Sequence, residues 1–426
     1  MDRFIIEGPT RLDGTVRISG AKNAVLPLMA AALLTRGESV IANVPDLRDV
    51  RFFMEVLTGL GARCDLTGDV LRIDTSQLTG NEAPYDLVRK MRASIYVLGP
   101  LLASQGRARV SLPGGCAWGP RPVNLHLEGM RQLGAEITLE AGYIQASAPS
   151  GSPGDKPGGL TGGSFRFEPA SVGATANVLM AAVLAHGTTE LANCAREPEV
   201  AELARALAGA GARIEGIGES QMTIEGVESL RPLDHRVIAD RIEAGTFLAA
   251  AAITRGRICL ENCQPDHMQA VLAVMQALGC EIETGADSVT IDGSGRTAAV
   301  EVVTRPFPGF PTDMQAQVMA ACSLADGTSF ITETIYQDRF THVAELRRLG
   351  ADIRLDGATA IVFGQKRLQG APVMATDLRA SAALILGGMA AEGTTTINRV
   401  YHIDRGYERI ESKLAGLGAS IRRESG

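Results

Sequence analysis

The sequence has no excess of positive charge, no long apolar run and no paired-cysteine motif, and each absence removes a class of function. A formal net charge of −7 argues against a nucleic-acid protein, which presents a basic surface. Any anionic ligand must then be held by a local cluster of positive side chains. The longest apolar stretches, such as 25–34, are too short to cross a bilayer. The first residues, MDRFIIEGPT, lack the basic stretch and apolar run of a secretory signal, so a cytoplasmic protein without a membrane partner is expected. The cysteines are Cys64, Cys116, Cys194, Cys259, Cys263, Cys280 and Cys322, an odd number with no CxxC, which is ordinary in a reducing compartment. Cys259 and Cys263 lie in a strand-like segment with no cysteine or histidine pair at finger spacing after it, so neither a metal nor a cofactor is expected. A GKS/T phosphate loop, a GxSxG elbow and an HExxH helix are all missing. GLGARC and GIGESQ are incomplete as dinucleotide fingerprints.

What the sequence does contain is repetition. At 426 residues with 45% hydrophobic content, two or three domains are expected. Leu-Gly-Ala or a close variant recurs at Gly61, Gly134, Gly211, Gly279, Gly350 and Gly418, in steps of 73, 77, 68, 71 and 68. A second series, Gly37, Gly106, Gly187, Gly256, Gly327 and Gly393, steps by 69, 81, 69, 71 and 66. Two independent markers thus give six units of about 70 residues, too long for a solenoid and suited to βαβ-type subdomains of an α/β protein. Each unit reads as an apolar helix ended by a glycine, a strand, a turn, a second helix ending at the Leu-Gly-Ala mark, and one closing strand. The first helix, as in AVLPLMAAALL or SAALILGGMA, is uncharged on every face and should be buried all round. The second, as in VAELARALAGAG, is amphipathic and should lie outside against solvent.

Polar residues gather just before the buried helices: Lys22 with Asn23, Arg92 with Ser94, Ser171-Val172-Gly173, Arg241 with Glu243, Asp313, and Arg379 with Ser381. Ser, Asp and Asn there serve as helix caps. Lys22, Arg92 and Arg379 do not fit that role, because a cation opposes the positive end of the helix dipole. A multiply charged anion held between such ends reconciles them. From strand glycine to Leu-Gly-Ala glycine the units measure 24, 28, 24, 23, 23 and 25 residues, so the second is longest. Its extra residues fall in LPGGCAWGPRPVNLH, a Gly/Pro-rich loop in a slot that often carries function. Cys116 is either an inert small hydrophobe or, flanked by glycines and close to Arg121, a reactive thiol. His126 follows nearby, and residues 151–169 form a Gly-rich insertion that reads as a surface hairpin.

Eight segments carry a resemblance. They are SGAKNA at 19–24, KMRAS at 90–94, LPGGC…RPVNLH at 112–126, SVGAT at 171–175, DRIEAGTF at 240–247, FPTDMQAQ at 310–317, ATDLRAS at 375–381 and HIDRGYERI at 402–410. Together they resemble the UDP-N-acetylglucosamine 1-carboxyvinyltransferases, a family of enolpyruvyl transferases, from residue 1 to about 423. The resemblance implies an inside-out α/β barrel fold with three units in each of two domains. These are 22–238, carrying the Cys116 lid loop, and 1–21 with 239–426, and the substrate site lies in the cleft between them. It implies transfer of the enolpyruvyl group of phosphoenolpyruvate to the 3-hydroxyl of UDP-N-acetylglucosamine with release of phosphate. That reaction is the first committed step of peptidoglycan synthesis, on which cell wall, cell shape and division depend. The two substrates are the expected partners, with no nucleic acid, and the protein is expected to be a monomer.

The same resemblance assigns roles. Asp313 matches the carboxylate that takes or orients the acceptor proton. Cys116 matches the lid cysteine, a proton donor that forms substrate adducts and is alkylated by fosfomycin in the family. Lys22, Arg121 and Arg405 match the cations around the donor phosphate, and Arg339 and Arg379 those near its carboxylate. Asn23, Arg92, Arg121, Pro122, Val123, Asn124, Leu125, Ser171, Val172, Gly173, Asp313 and Ile335 match positions that contact the sugar nucleotide. Asp377 matches a carboxylate near the site with a proton-relay or structural role. Two positions depart from the pattern. Asn124 stands where the family usually has Asp, and Ala170 where some members have Lys, which weakens the expected grip on the sugar nucleotide or alters the acceptor. The alternative is an enolpyruvyl transferase with another acceptor such as shikimate 3-phosphate, disfavoured because that family lacks the LPGGC lid.

Overall fold

The computed structural model describes residues 2–88, 91–112, 123–149, 159–336 and 338–425, apart from the side chain of Arg92. Cys116, Arg121, Pro122 and residues 151–158 of the Gly-rich insertion lie outside the described residues.

The repeated mark has a physical cause. Gly61, Gly134, Gly211, Gly279, Gly350 and Gly418 all have φ between +87° and +115°, the left-handed region that a side chain resists. Each sits one residue past the C-cap of a helix. The next residue donates its N–H to the carbonyl five residues back, as Ala62 does to Leu57 at 3.0 Å and Ala419 to Leu414 at 3.0 Å. This double-bonded C-terminal cap satisfies carbonyls the helix would otherwise orphan, and it buries the leucine beside it. The periodic Leu-Gly-Ala is therefore six copies of one helix stop.

Among the described residues, helices come in buried and outer pairs. They are α1 (Lys22–Ala31) with α2 (Arg48–Gly59), α3 (Leu98–Gln105) with α4 (Asn124–Gln132), α5 (Val172–Ala182) with α6 (Pro198–Gly209), α7 (Arg241–Thr254) with α8 (Gln269–Ala277), α9 (Gln315–Cys322) with α10 (His342–Arg348), and α11 (Leu378–Ala390) with α12 (Ile410–Gly416). The first member of each pair is enclosed almost completely, as its lack of charge predicts. The glycine ends the buried helix directly only at α3, where Gly106 is the left-handed C-cap; at α7 Arg255 takes that conformation. Elsewhere the glycine lies a few residues further on, at the start of the strand. One outer helix departs from expectation. α6 exposes little beyond Arg205 and Gly209 and packs on α1, because its many alanines leave room for close approach.

The unit closes with two strands, not the single one expected. A two-residue turn joins Arg63–Thr67 to Val70–Asp74, and Glu136–Glu140 to Tyr143–Ser147, as antiparallel hairpins. The second strand of each hairpin, not the first, pairs with the strand between the two helices. In the sixth unit the chain ends themselves supply the pair, with Arg3–Gly8 antiparallel to both Ser420–Glu424 and Ala391–Asn398.

Each sheet also gains a parallel strand. Glu82–Ala83 joins Arg107–Ser111, and Ser164–Arg166 joins Thr188–Ala192, with a buried helix as the crossover. Two sheets complete this pattern with a strand from far along the chain. Asp13–Arg17 pairs with Arg257–Glu261, and Asp234–Arg236 with Glu38–Ala42. The chain accordingly forms two compact units, a continuous one over Gly20–Ile238 and a split one of Met1–Ser19 with Ala239–Gly426. In the continuous unit α5 packs on α3 and α1, and in the split unit α7, α9 and α11 pack on one another. Among the described residues each unit thus has helices at its centre and three sheets packed with them. No described helix is long and apolar enough to cross a membrane.

Candidate active site

In the split unit, three helix starts converge on one carboxylate. Asp313 lies in a single 3₁₀ turn, Thr312–Met314, that leads into α9. Its Oδ1 accepts from Arg339 Nη2 at 2.7 Å and its Oδ2 from Arg379 Nη2 at 2.8 Å. The two arginine side chains are 8% and 5% exposed while the carboxylate keeps 28%, so the cations are fixed below it and its outer edge stays reachable. Burial alone would raise the Asp313 carboxyl, but the charges of Arg379 and Arg339 outweigh it and hold the group well below the usual carboxylate range.

Each arginine is itself braced. Arg339 Nη1 donates to Thr312 Oγ1 at 2.8 Å, and Thr312 passes its own proton to Glu333 Oε2 at 2.8 Å. Glu333 is fully buried at the end of the strand Thr328–Thr332 and also accepts from Thr304 Oγ1 and from the backbone N–H groups of Ile335 and Tyr336. Ile335 is therefore pinned through its backbone beside Arg339, with its side chain half-buried. Arg379 is the second residue of α11 and lies beside Tyr407, with Nη1 3.2 Å from the phenol oxygen. Asp377 makes a structural contact. It is the N-cap of α11, accepting from Arg379 N at 2.8 Å and Ala380 N at 3.1 Å. Arg405 closes the short helix Val400–Arg405, half-buried, next to Asp404, which pairs with Arg423 at 2.6 Å.

The continuous unit brings together a second set. Lys22 opens α1, where no side chain caps the helix, and its Nζ lies 2.8 Å from Asp49 Oδ2 in the first turn of α2. Asn23 follows it, half-buried. Ser171 caps α5 by accepting from Ala174 N at 3.3 Å, so Val172 and Gly173 are the first residues of that helix. A Cβ on Gly173 would stand 3.3 Å from the ring of His126, which therefore packs against the helix start. His126 Nδ1 meets Asn177 Nδ2 at 3.0 Å; the same amide donates to Ile95 O at 2.8 Å, and Asn177 Oδ1 accepts from Gly99 N at 2.7 Å. With both amide hydrogens spent in this way, Nδ1 is the acceptor and the ring proton sits on Nε2, facing Gly173. Val123 precedes α4, Asn124 and Leu125 begin it, and Asn124 Nδ2 lies 3.4 Å from Glu128 Oε1 in an exposed turn. Arg92 opens the short helix Arg92–Val97.

The sequence singled out Lys22, Arg339 and Arg379 as cations, and the structure meets each with a carboxylate. An arriving anion has to compete with Asp49 or Asp313. Several supporting residues went unnoticed in the sequence: Asp49, Glu333, Thr312, Gln317, Asn177 and Tyr407. Glu333, the one charged residue of SFITETI, and Asn177, the lone polar residue of ANVLMAAVLA, did carry a signal.

Comparison with known proteins follows the same lines. Residues 6–414 match the family described as EPSP synthase (3-phosphoshikimate 1-carboxyvinyltransferase). The chain is 54% identical to the UDP-N-acetylglucosamine 1-carboxyvinyltransferase of Desulfosudis oleivorans over 99% of both chains. It is 52% identical to the protein of that name from a Psychrobacter species, over 99% of this chain and 96% of the relative. Among solved structures, the enolpyruvyl transferase NikO of Streptomyces tendae superposes with a TM-score of 0.88 at 28% identity, covering 100% of this chain and 99% of that one. An EPSP synthase of Acinetobacter baumannii gives 0.76 at 16% identity with both chains fully covered, a likeness of fold.

Proposed function

The chain belongs to the EPSP synthase family of carboxyvinyl transferases, and on that footing we propose that it transfers the enolpyruvyl group of phosphoenolpyruvate to the 3-hydroxyl of UDP-N-acetylglucosamine. The observation that carries this reading is full-length identity of 52–54% to relatives bearing that activity in their name, against 16% to an EPSP synthase of the same fold. The shikimate 3-phosphate alternative loses on that contrast. A cytoplasmic place in peptidoglycan synthesis belongs to the same proposal.

The chemistry needs a proton donor, a proton acceptor and a cradle for a trianion. Protonation of the donor's methylene carbon gives its central carbon oxocarbenium character, and the acceptor oxygen attacks there. The hydroxyl proton passes to Asp313. Loss of a methyl proton and departure of phosphate then restore the double bond in the product ether. In this proposal Cys116 delivers the first proton, and Lys22, Arg121 and Arg405 hold the phosphate. Arg339 and Arg379 grip the donor carboxylate by charge-assisted bonds. Their present hold on both Asp313 oxygens makes that carboxylate a poor base. When the donor carboxylate takes over the arginine hydrogens, the affinity of Asp313 for a proton rises toward its ordinary value. Asn23, Arg92, Arg121, Pro122, Val123, Asn124, Leu125, Ser171, Val172, Gly173, Asp313 and Ile335 contact the sugar nucleotide in this reading.

The test is phosphate release from phosphoenolpyruvate with each acceptor. Release with UDP-N-acetylglucosamine and none with shikimate 3-phosphate is expected. The reverse pattern, or no release with either, overturns the proposal.

A further inference from the structure

We infer that Tyr407 is a positioning residue for the donor: its hydroxyl fixes one edge of Arg379, so that the guanidinium keeps its place when Asp313 lets go of the other edge. The inference rests on the function proposed above. Hydrogen-bond accounting defines the arrangement. Thr246 Oγ1 donates to Ile242 O at 2.7 Å, which uses its only proton, so at 2.8 Å it must accept from the Tyr407 hydroxyl. The phenol proton is thereby turned away from the arginine. The phenol oxygen is left as an acceptor and receives Arg379 Nη1 at 3.2 Å, while one hydrogen of Gln317 Nε2 is shared between it at 3.2 Å and Thr246 Oγ1 at 3.1 Å. Gln317 cannot reverse its amide, because Nε2 also donates to the backbone carbonyl of Asp313 at 2.9 Å. One glutamine therefore ties the turn carrying Asp313 to the Thr246–Tyr407 hydroxyl pair beside Arg379.

Tyr407 is 2% exposed, Arg379 5% and Gln317 wholly buried, so water cannot replace these bonds. The guanidinium carbon also lies 5.5 Å from the centre of the Tyr407 ring, within range of a cation–π attraction that adds no directional hold. Among the described residues, Arg379 Nη2 donates to Asp313 and Nη1 to Tyr407. Once the carboxylate turns to the acceptor hydroxyl, the phenol oxygen is what keeps the cation aimed.

The experiment compares wild type with Tyr407→Phe, which keeps the ring. The Michaelis constant for phosphoenolpyruvate should rise about tenfold, the order expected for one lost hydrogen bond to a charged group. kcat and the constant for UDP-N-acetylglucosamine should move far less. A merely structural tyrosine would lower the melting temperature and leave the donor constant alone, and that result overturns the inference. Should Tyr407→Phe not fold, Thr246→Val releases the phenol proton without changing shape and should raise the same constant about two- to threefold. An unchanged constant there is equally fatal. Crystal structures of Asp313→Asn with and without Tyr407→Phe decide the matter without turnover. The guanidinium should stay on the phenol in the single variant and leave its place in the double; an unmoved guanidinium in the double variant refutes the inference. An inactive wild type would refute the proposed function and leave this structural comparison decisive.

Discussion

The carboxylate of Asp49 lies 2.8 Å from Lys22 Nζ, with the two side chains 2% and 14% exposed. The pair joins the start of a buried helix to the first turn of its outer partner. Removing one member of such a pair takes from the other a close opposite charge that offsets its burial. Asp49→Asn should therefore cost about 3 kcal/mol of stability, read as a lower urea midpoint. Replacing both residues with apolar ones of similar size should recover most of that loss. A single variant that unfolds at the wild-type midpoint would show that the pair contributes nothing.

Asp313 is held by two arginines yet exposes its outer edge. An amide cannot take the acceptor proton, so Asp313→Asn should lower kcat about 10²- to 10⁴-fold, the range for a lost general base. The Michaelis constant for UDP-N-acetylglucosamine should stay within a few-fold of wild type. Steady-state phosphate release measures both, and turnover near the wild-type rate would remove Asp313 from the proton path.

Five of the thiols are poor nucleophiles. Burial pushes Cys64, Cys263, Cys280 and Cys322 up to about 11 and Cys194 up to about 12, so little thiolate exists at neutral pH. Fosfomycin should accordingly inactivate the protein with a single mass adduct, mapping to Cys116. An adduct on any other cysteine, Cys259 included, or full activity after labelling of Cys116, would contradict this. Cys116→Ser should block the adduct and depress turnover.

His342 sits in the first turn of α10, 1% exposed, and burial together with the Arg339 charge pushes it down from 6.5 to about 3. Folding thus favours its neutral form. Its contribution is fully present above the unfolded value near 6.5 and is lost as pH falls from there toward 3. Between pH 6.5 and 5 the folded state should lose about 2 kcal/mol from this group alone. In His342→Gln, urea unfolding should vary less over that interval; an identical pH slope would mean the histidine does not titrate on unfolding.

Much of this architecture was legible because it repeats. The Leu-Gly-Ala mark is a helix stop whose left-handed residue and buried leucine leave a sequence trace, and uncharged helices announce burial directly. The hairpins were less visible, since two short strands with a two-residue turn read like one longer polar segment. The exchange of Asp13–Arg17 and Asp234–Arg236 left no trace, because pairing between distant strands depends on register that no local pattern encodes. At the site, Lys22, Arg379 and Asp313 were found as polar residues just before buried helices, and Arg339 through the family resemblance. Their partners Asp49, Thr312 and Tyr407 were missed for a different reason: each lies in another element and matters only through a contact.

The antiparallel match of Arg3 with Glu424 puts the two chain ends side by side on one sheet. Synthesis delivers all of 20–238 while 3–8 and 13–17 still await strands made much later, at 257–261, 391–398 and 420–424. The first nineteen residues are thus a strap stored through most of translation. Joining residue 426 to residue 1 and opening the chain after Ser19 would abolish that wait, giving a permuted polypeptide in which both halves are contiguous.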